Sequence, residues 1–145
     1  MIAVDTNVLI YAHRAETDLH TVAARDLASL AEGTTGWGIP VFCIGEFVRV
    51  VTHRRVLNPP STLAQALSFL ERVLASPTCR VVRPGPEFIE LFADTVSAAS
   101  ARGNLVFDAQ IVALCREHGI STILTNDRDF RRFDHLRVRL PGEPA

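Results

Sequence analysis

The 145 residues are 48% hydrophobic and carry a net charge of −1, which is typical of a globular protein with a sizeable core. No apolar run approaches the ~20 residues that span a bilayer, and the N-terminus lacks the regions of a secretion signal. We therefore predict one cytoplasmic domain over residues 1–145, without membrane contact, and the charge excludes nucleic-acid binding by bulk positive charge.

The basic residues and the cysteines add two expectations. All fifteen basic residues are arginine, which binds phosphate bidentately and is compatible with a local phosphate-binding patch. Cys43, Cys79 and Cys115 lie far apart among apolar neighbours. This spacing predicts reduced, packed thiols rather than disulfides or a zinc site.

Taken in order, the chain alternates short strands with helices. Ile2–Val4 predicts a buried strand that ends at Asp5, and Thr6 or Asn7 is expected to cap the helix that follows. The further predicted elements are a helix from 18 or 21 to 33, a loop or minimal strand at 37–39, helices over 41–53 and 61–74, a strand at Cys79–Val82, helices over 87–101 and 105–118, and strands at 120–124 and 136–138. This alternation predicts an α/β/α sandwich around a short, mostly parallel sheet of about five strands.

Four acidic residues stand out by their context. Asp5 and Asp127 each follow a short apolar strand, Asp108 lies on the apolar side of a helix, and Glu46 lies in an apolar helix. Two simpler interpretations are that Asp5 only caps a helix and that Glu46 and Asp108 are solvated. Because an isolated buried carboxylate is costly, we favour a shared site for a hard divalent cation with oxygen ligands.

Polar residues near these acids are candidates for supporting roles. The neutral ones, expected to orient the carboxylates, are Thr6, Asn7, Thr125 and Asn126. Asp129 is expected either at the rim of the site or as a cap of the next turn. The candidate phosphate contacts are Arg14, Arg102, Arg128, Arg131 and Arg132. The histidines form no zinc-binding pattern.

Four segments together resemble PIN-domain ribonucleases, in particular the VapC toxins of bacterial toxin–antitoxin pairs. They are V-D-T-N-V-L-I from Val4, the helix with Glu46, the F-D-A step at Asp108, and T-N-D-R-D-F from Thr125. The resemblance covers essentially the whole chain and implies a PIN-like fold and an endoribonuclease dependent on Mg²⁺ or Mn²⁺. The family's acidic quartet falls on Asp5, Glu46, Asp108 and Asp127, of which Asp5 and Asp108 match the usual direct magnesium ligands.

The resemblance also implies partners. It implies RNA as substrate (tRNA, rRNA or mRNA), inhibition of translation and growth, a homodimer, and a VapB-type antitoxin that blocks the site. We expect the antitoxin to bind an exposed apolar groove formed by Val8, Leu9, Tyr11, Leu63, Leu67 and Leu70.

Other functions remain as alternatives. A receiver-like signalling module also binds Mg²⁺ through clustered Asp, but it has adjacent acids after its first strand and a late Lys, and this chain has neither. A phosphatase of the haloacid dehalogenase type has D-x-D after its first strand, where this chain has Asn7. A non-catalytic interaction domain does not require inward-facing acids.

Overall fold

Five strands form one parallel sheet in the order β3-β2-β1-β4-β5, in a computed structural model that describes residues 1–144. The strands are β1 (Ile2–Val4), β2 (Trp37–Pro40), β3 (Cys79–Val82), β4 (Thr122–Leu124) and β5 (Arg137–Arg139). The helices are α1 (Thr6–His13), α2 (His20–Glu32), α3 (Val41–Val51), α4 (Leu63–Leu74), α5 (Phe88–Ala98), α6 (Leu105–Glu117) and a 3₁₀ helix (Arg128–Arg132). The predicted α/β class is confirmed, and every strand pair is parallel.

The chain reverses its direction across the sheet at β1. It runs outward from β1 to β2 and β3, and then returns past β1 to β4 and β5. Because parallel crossovers are right-handed, this reversal puts α1 to α4 on one face and α5 and α6 on the other, and the helices pack within those two groups. The carboxyl ends of β1 and β4, paired through Val4 and Leu124, therefore open onto the crevice where α/β sheets bind ligands.

The core lies between the sheet and its helices. Trp37, Phe47 and Phe130 are among its largest fully buried side chains. Cys43 and Cys115 are buried and Cys79 is half-buried, all three as free thiols, as predicted. Within residues 1–144, no helix combines the length and the apolar character needed to cross a membrane.

The starts of three helices differ from the prediction. Asp5 itself caps α1, because its extended backbone lets Oδ1 accept the Thr6 N–H at 2.7 Å, so the expected cap by Thr6 or Asn7 is wrong. Helix α2 begins at His20 without any side-chain cap. Helix α4 begins after Thr62, which forms a reciprocal capping box with Gln65, and not at Ser61.

The apolar groove expected for an antitoxin is not present as predicted. Val8 and Leu9 are fully buried, because α2 and α3 both pack on α1, and Leu70 is 5% exposed. Tyr11 is half-buried. Of the predicted set only Leu63 and Leu67, on the outer face of α4, are exposed.

Candidate active site

An open pocket of about 780 Å³ lies at the carboxyl ends of β1 and β4. Asp5 enters it directly after β1, and Asp127 enters it after β4. Glu46 reaches it from α3, and Asp108 reaches it from the first turn of α6. The fold thus brings all four predicted acids, which are spread over more than a hundred residues of the chain, to one pocket.

Asp129 belongs to a group of three close acids at the pocket. One oxygen each of Asp108, Asp127 and Asp129 lie within 4.8 Å of one another. The backbone N–H of Asp129 donates to Asp127 Oδ1 at 2.8 Å, which caps the 3₁₀ helix and turns both carboxylates toward α6. Asp129 thus lies among the clustered acids, and Asp127 is the residue that caps. Within residues 1–144, Asp5 and Glu46 line the same pocket outside this tightest group.

Asp5 is the most enclosed of the five acids. Its side chain is almost completely buried and accepts three hydrogen bonds, from the Thr6 N–H at 2.7 Å, from Asn7 Nδ2 at 2.6 Å, and from the Thr125 hydroxyl at 2.7 Å. The Cys43 thiol also donates to Asp5 Oδ1, at 3.8 Å. Donors therefore fix both carboxylate oxygens before any ligand arrives.

The Thr125 hydroxyl connects three of the elements around the pocket. It donates to Asp5 Oδ2 and accepts both from Asn7 Nδ2 at 2.9 Å and from the Asp127 N–H at 2.9 Å. The residue is completely buried, so all three bonds are shielded from water. One hydroxyl thus sets the position of Asp5 relative to Asp127.

Glu46 stands at the exposed side of the pocket. The Thr6 hydroxyl donates to Glu46 Oε2 at 2.7 Å, and Arg49 Nη2 lies 3.7 Å from Glu46 Oε1. Glu46 and Arg49 are both exposed, and such an ion pair is weak in water.

The acids raise one another's affinity for protons. Burial raises the pKa of Asp5 from 3.8 to about 6, against the lowering effect of its hydrogen bonds with Thr125 and Thr6. Burial and the neighbouring charges of Asp127, Asp5, Asp129 and Glu46 raise the pKa of Asp108 to about 7. Burial also raises the pKa of the Cys43 thiol well above its ordinary value, so Cys43 stays protonated beside Asp5. For both carboxyl groups burial is the larger cause of the raised pKa, and the neighbouring acids add to it.

The predicted neutral partners fall into two groups. Thr6, Asn7 and Thr125 donate side-chain hydrogen bonds to the acids. Asn126 instead supports the site through its backbone, whose N–H donates to Asn7 Oδ1 at 3.1 Å.

The predicted phosphate contacts do not line the pocket. Arg14 is a correction: its buried guanidinium donates to Glu16, to the Ser61 hydroxyl at 3.0 Å and to the Pro59 carbonyl at 2.7 Å. The others are exposed and, among the described residues, do not line the pocket, namely Arg102, Arg128, Arg131 and Arg132.

Arg49 does line the pocket, and the sequence interpretation did not select it. The sequence feature that could have identified Arg49 is its position three residues after Glu46, which puts both side chains on one face of α3.

Comparisons with known proteins agree with this geometry. Residues 2–136 match the PIN domain family. Ribonuclease VapC43 of Mycobacterium tuberculosis is 38% identical over 141 residues, covering 97% of this chain and 95% of the relative. Ribonuclease VapC48 of the same species is 34% identical, covering 94% of each.

Solved structures agree in fold. The VapBC2 structure from Rickettsia felis, bound to a promoter DNA fragment, superposes with a TM-score of 0.71 at 19% identity, covering 97% of this chain and 98% of that one. Mycobacterium tuberculosis VapC20, described as a sarcin-ricin loop cleaving toxin, gives 0.70 at 22% identity, covering 94% and 99%.

Proposed function

The chain belongs to the PIN-domain family as a VapC-type ribonuclease, and from this we infer that it is the toxin of a toxin–antitoxin pair that hydrolyses RNA with a bound divalent cation. We propose that the cation is Mg²⁺ or Mn²⁺ and that Asp5, Glu46, Asp108 and Asp127 form its site. We add Asp129 to this set because one of its carboxylate oxygens lies within 4.8 Å of one oxygen each of Asp108 and Asp127.

The observation that carries the metal proposal is the chemistry of the pocket. Among the described residues that line it, the ionisable donors are carboxylates, and neither His nor Cys is present. Hard oxygen donors select Mg²⁺ and Mn²⁺ over zinc. Burial is the main cause of the raised pKa values of Asp5 and Asp108, and the neighbouring negative charges add to it; a divalent cation would relieve that added repulsion.

The cation would supply charge neutralisation at the scissile phosphate and activation of water. The chain's own residues would hold the carboxylates in a fixed orientation. Thr6, Asn7 and Thr125 hold Asp5 in one orientation, so little rearrangement accompanies ligand binding. Glu46 is exposed and Thr6 holds only one of its oxygens, so where it does not bind the cation its carboxylate can accept the proton of the attacking water.

The partners proposed for this chain follow from the family. We propose that an antitoxin protein of the VapB type holds the ribonuclease inactive and that the chain forms a homodimer. Leu63 and Leu67 are the exposed remainder of the surface expected to bind the antitoxin, and they stay its candidates.

A cleavage assay with matched acid variants tests the proposal. The wild-type protein should cut RNA with Mg²⁺ or Mn²⁺, and EDTA should stop cutting. Asp108→Asn should lower the rate by at least about 100-fold, because it removes a ligand charge from the cluster. Asp18→Asn, an exposed acid outside the pocket, is the control and should cut like the wild type.

Growth provides the second readout. Expression of the wild type without an antitoxin should arrest growth, and Asp108→Asn should relieve the arrest. Equal arrest by both would contradict a catalytic origin of toxicity. Wild-type cutting that survives complete metal removal would contradict the metal site.

A further inference from the structure

Phe107 presents an aromatic ring to solvent at the mouth of the acidic pocket. It is 65% exposed, lines the pocket, and directly precedes Asp108 on α6. Among the large apolar side chains that are exposed in residues 1–144, it is the only aromatic one and the only one that lines this pocket.

The packing of α6 does not explain this ring. The helix buries Leu105, Ala109 and Val112, which recur at helical spacing on one face. Phe107 lies on another face of the helix, which is buried one turn later at Ile111 but is open to solvent in the first turn. A single exposed apolar residue is ordinary, but this one lines a pocket that also holds five carboxylates, so the pocket offers a ligand both an aromatic ring and charge.

The groups around Phe107 complement the parts of a nucleotide. Asn104 and Gln110 carry amides on the same wall of the pocket, and Asn104 makes no capping hydrogen bond with its side chain. Among the described lining residues, Arg49 is the one with a positive charge. An aromatic face stacks on bases, an amide can pair with a base edge, and a guanidinium binds phosphate.

We propose that this part of the pocket binds an unpaired nucleobase next to the scissile phosphate. Phe107 would stack on the base, Asn104 would bind the edge of the base, and Arg49, from α3, would bind a neighbouring phosphate. Arg49 can turn to the phosphate because its pairing with Glu46 is long and exposed. The inference rests on the proposed ribonuclease function and assigns three residues of the pocket to contacts with the substrate.

Single-turnover cleavage by substituted proteins is the first test. Phe107→Ala should lower the ratio of maximal rate to half-saturating RNA concentration by ~5-fold to ~100-fold, the range for losing one base stack. Phe107→Trp should restore most of that ratio because tryptophan also stacks. Ile89→Ala removes a comparably exposed apolar side chain outside the pocket and should leave the ratio unchanged.

Abasic RNA makes the test specific to stacking. RNAs that lack one base at successive positions around the cut should lose rate with the wild type at one position. At that position Phe107→Ala should lose nothing further, since the stacking partner is already absent. If the abasic penalty is the same for both proteins at every position, Phe107 does not stack on a base and the inference is wrong.

The outcomes separate this inference from the ribonuclease proposal. If the wild type cuts no RNA, the ribonuclease proposal fails, and a binding experiment then tests the base site alone. In that experiment a fluorescent adenine analogue is placed at successive positions in an unstructured RNA of about 12 nucleotides, and its fluorescence is measured with each protein. Quenching by the wild type but not by Phe107→Ala supports it, and equal signals overturn it.

If Phe107→Ala instead changes the oligomeric state in size-exclusion chromatography and leaves the abasic penalty intact, the ring belongs to a protein interface and the inference is also overturned.

Discussion

The Thr125 hydroxyl fixes the position of Asp5 relative to Asp127 through its hydrogen bonds to both residues. Removing this hydroxyl tests how far catalysis depends on the orientation of these carboxylates. Thr125→Val keeps the shape of the side chain but leaves the Asp127 N–H without its acceptor, Asn7 Nδ2 with Asp5 as its one acceptor, and Asp5 without one donor. We expect a loss of about 10- to 100-fold in cleavage rate, as for groups that orient metal ligands. The free energy of unfolding should fall by about 1–3 kcal/mol because buried polar groups lose their partners.

Thr125→Ser is the matched control, since it keeps the hydroxyl and deletes only the methyl group. It should recover most of the cleavage rate and most of the stability in chemical denaturation. If Thr125→Val cuts as fast as Thr125→Ser, the hydroxyl does not position the carboxylates.

At the scale of elements, Arg14 connects the end of α1 to the segment before α4. Its guanidinium is buried, and its hydrogen bonds to Ser61 and to the Pro59 carbonyl bridge residues that are more than forty positions apart. Arg14→Met should lower the free energy of unfolding by about 2 kcal/mol, because it removes charge-assisted hydrogen bonds. Its half-saturating RNA concentration should match that of the wild type.

The control for Arg14 is Arg131→Met, which removes an exposed arginine and should change stability by less than ~0.5 kcal/mol. A rise in the half-saturating RNA concentration for Arg14→Met alone would restore the original interpretation of Arg14 as a phosphate contact.

Arg14 also illustrates why the sequence identified the acids better than the arginines. Asp5 and Asp127 could be placed together because each follows an apolar strand, and parallel strands end at the same edge. The partner of Arg14 is a loop whose contact with α1 leaves no periodic signal. The close approach of Asp129 depends on the 3₁₀ turn after Asp127, which the sequence did not predict.

Element positions were predictable where an apolar period was long. Helix α3 was identified within two residues at its end despite its branched residues, and β3 was placed at its observed bounds. Caps were less predictable, because several polar residues precede each helix and tertiary contacts decide among them. Asp5 caps α1 although Thr6 and Asn7 are equally suitable by type, since their side chains bond to Glu46, Asp5 and Thr125 instead.

For the whole molecule, the acidic cluster should link stability to pH and to metal. The folded-state pKa values of Asp5 and Asp108 are raised from 3.8 to about 6 and about 7, so the folded state binds protons that the unfolded state releases. Their contribution to stability is therefore full below about pH 4 and is lost as pH rises through about 6 to 7. With EDTA, these two groups should make the Tm lower at pH ~8 than at pH ~5.

Thermal unfolding with matched variants measures this linkage. Asp108→Asn should reduce the difference in Tm between the two pH values, whereas Asp134→Asn, exposed and outside the pocket, should leave it unchanged. Mg²⁺ should raise the Tm more at the higher pH, where protons do not compete, with about 2.7 kcal/mol of stabilisation at 100 times its Kd. A Tm insensitive to Mg²⁺ at the higher pH would contradict a metal site.

The reversal of the chain at β1 has a consequence for synthesis. Asp5 leaves the ribosome early, but its partner Thr125 and the acids at 127 and 129 follow some 120 positions later. The neighbouring strand β4 is itself paired with β5, through which the Thr125 N–H donates to the Arg139 carbonyl at 3.0 Å. Such late, long-range pairing forms slowly and only once both strands are available. A nascent chain therefore carries no complete acidic cluster before residues 125 to 129 have been made, and the ribosome that makes this ribonuclease is not exposed to its activity until β4 and β5 have emerged.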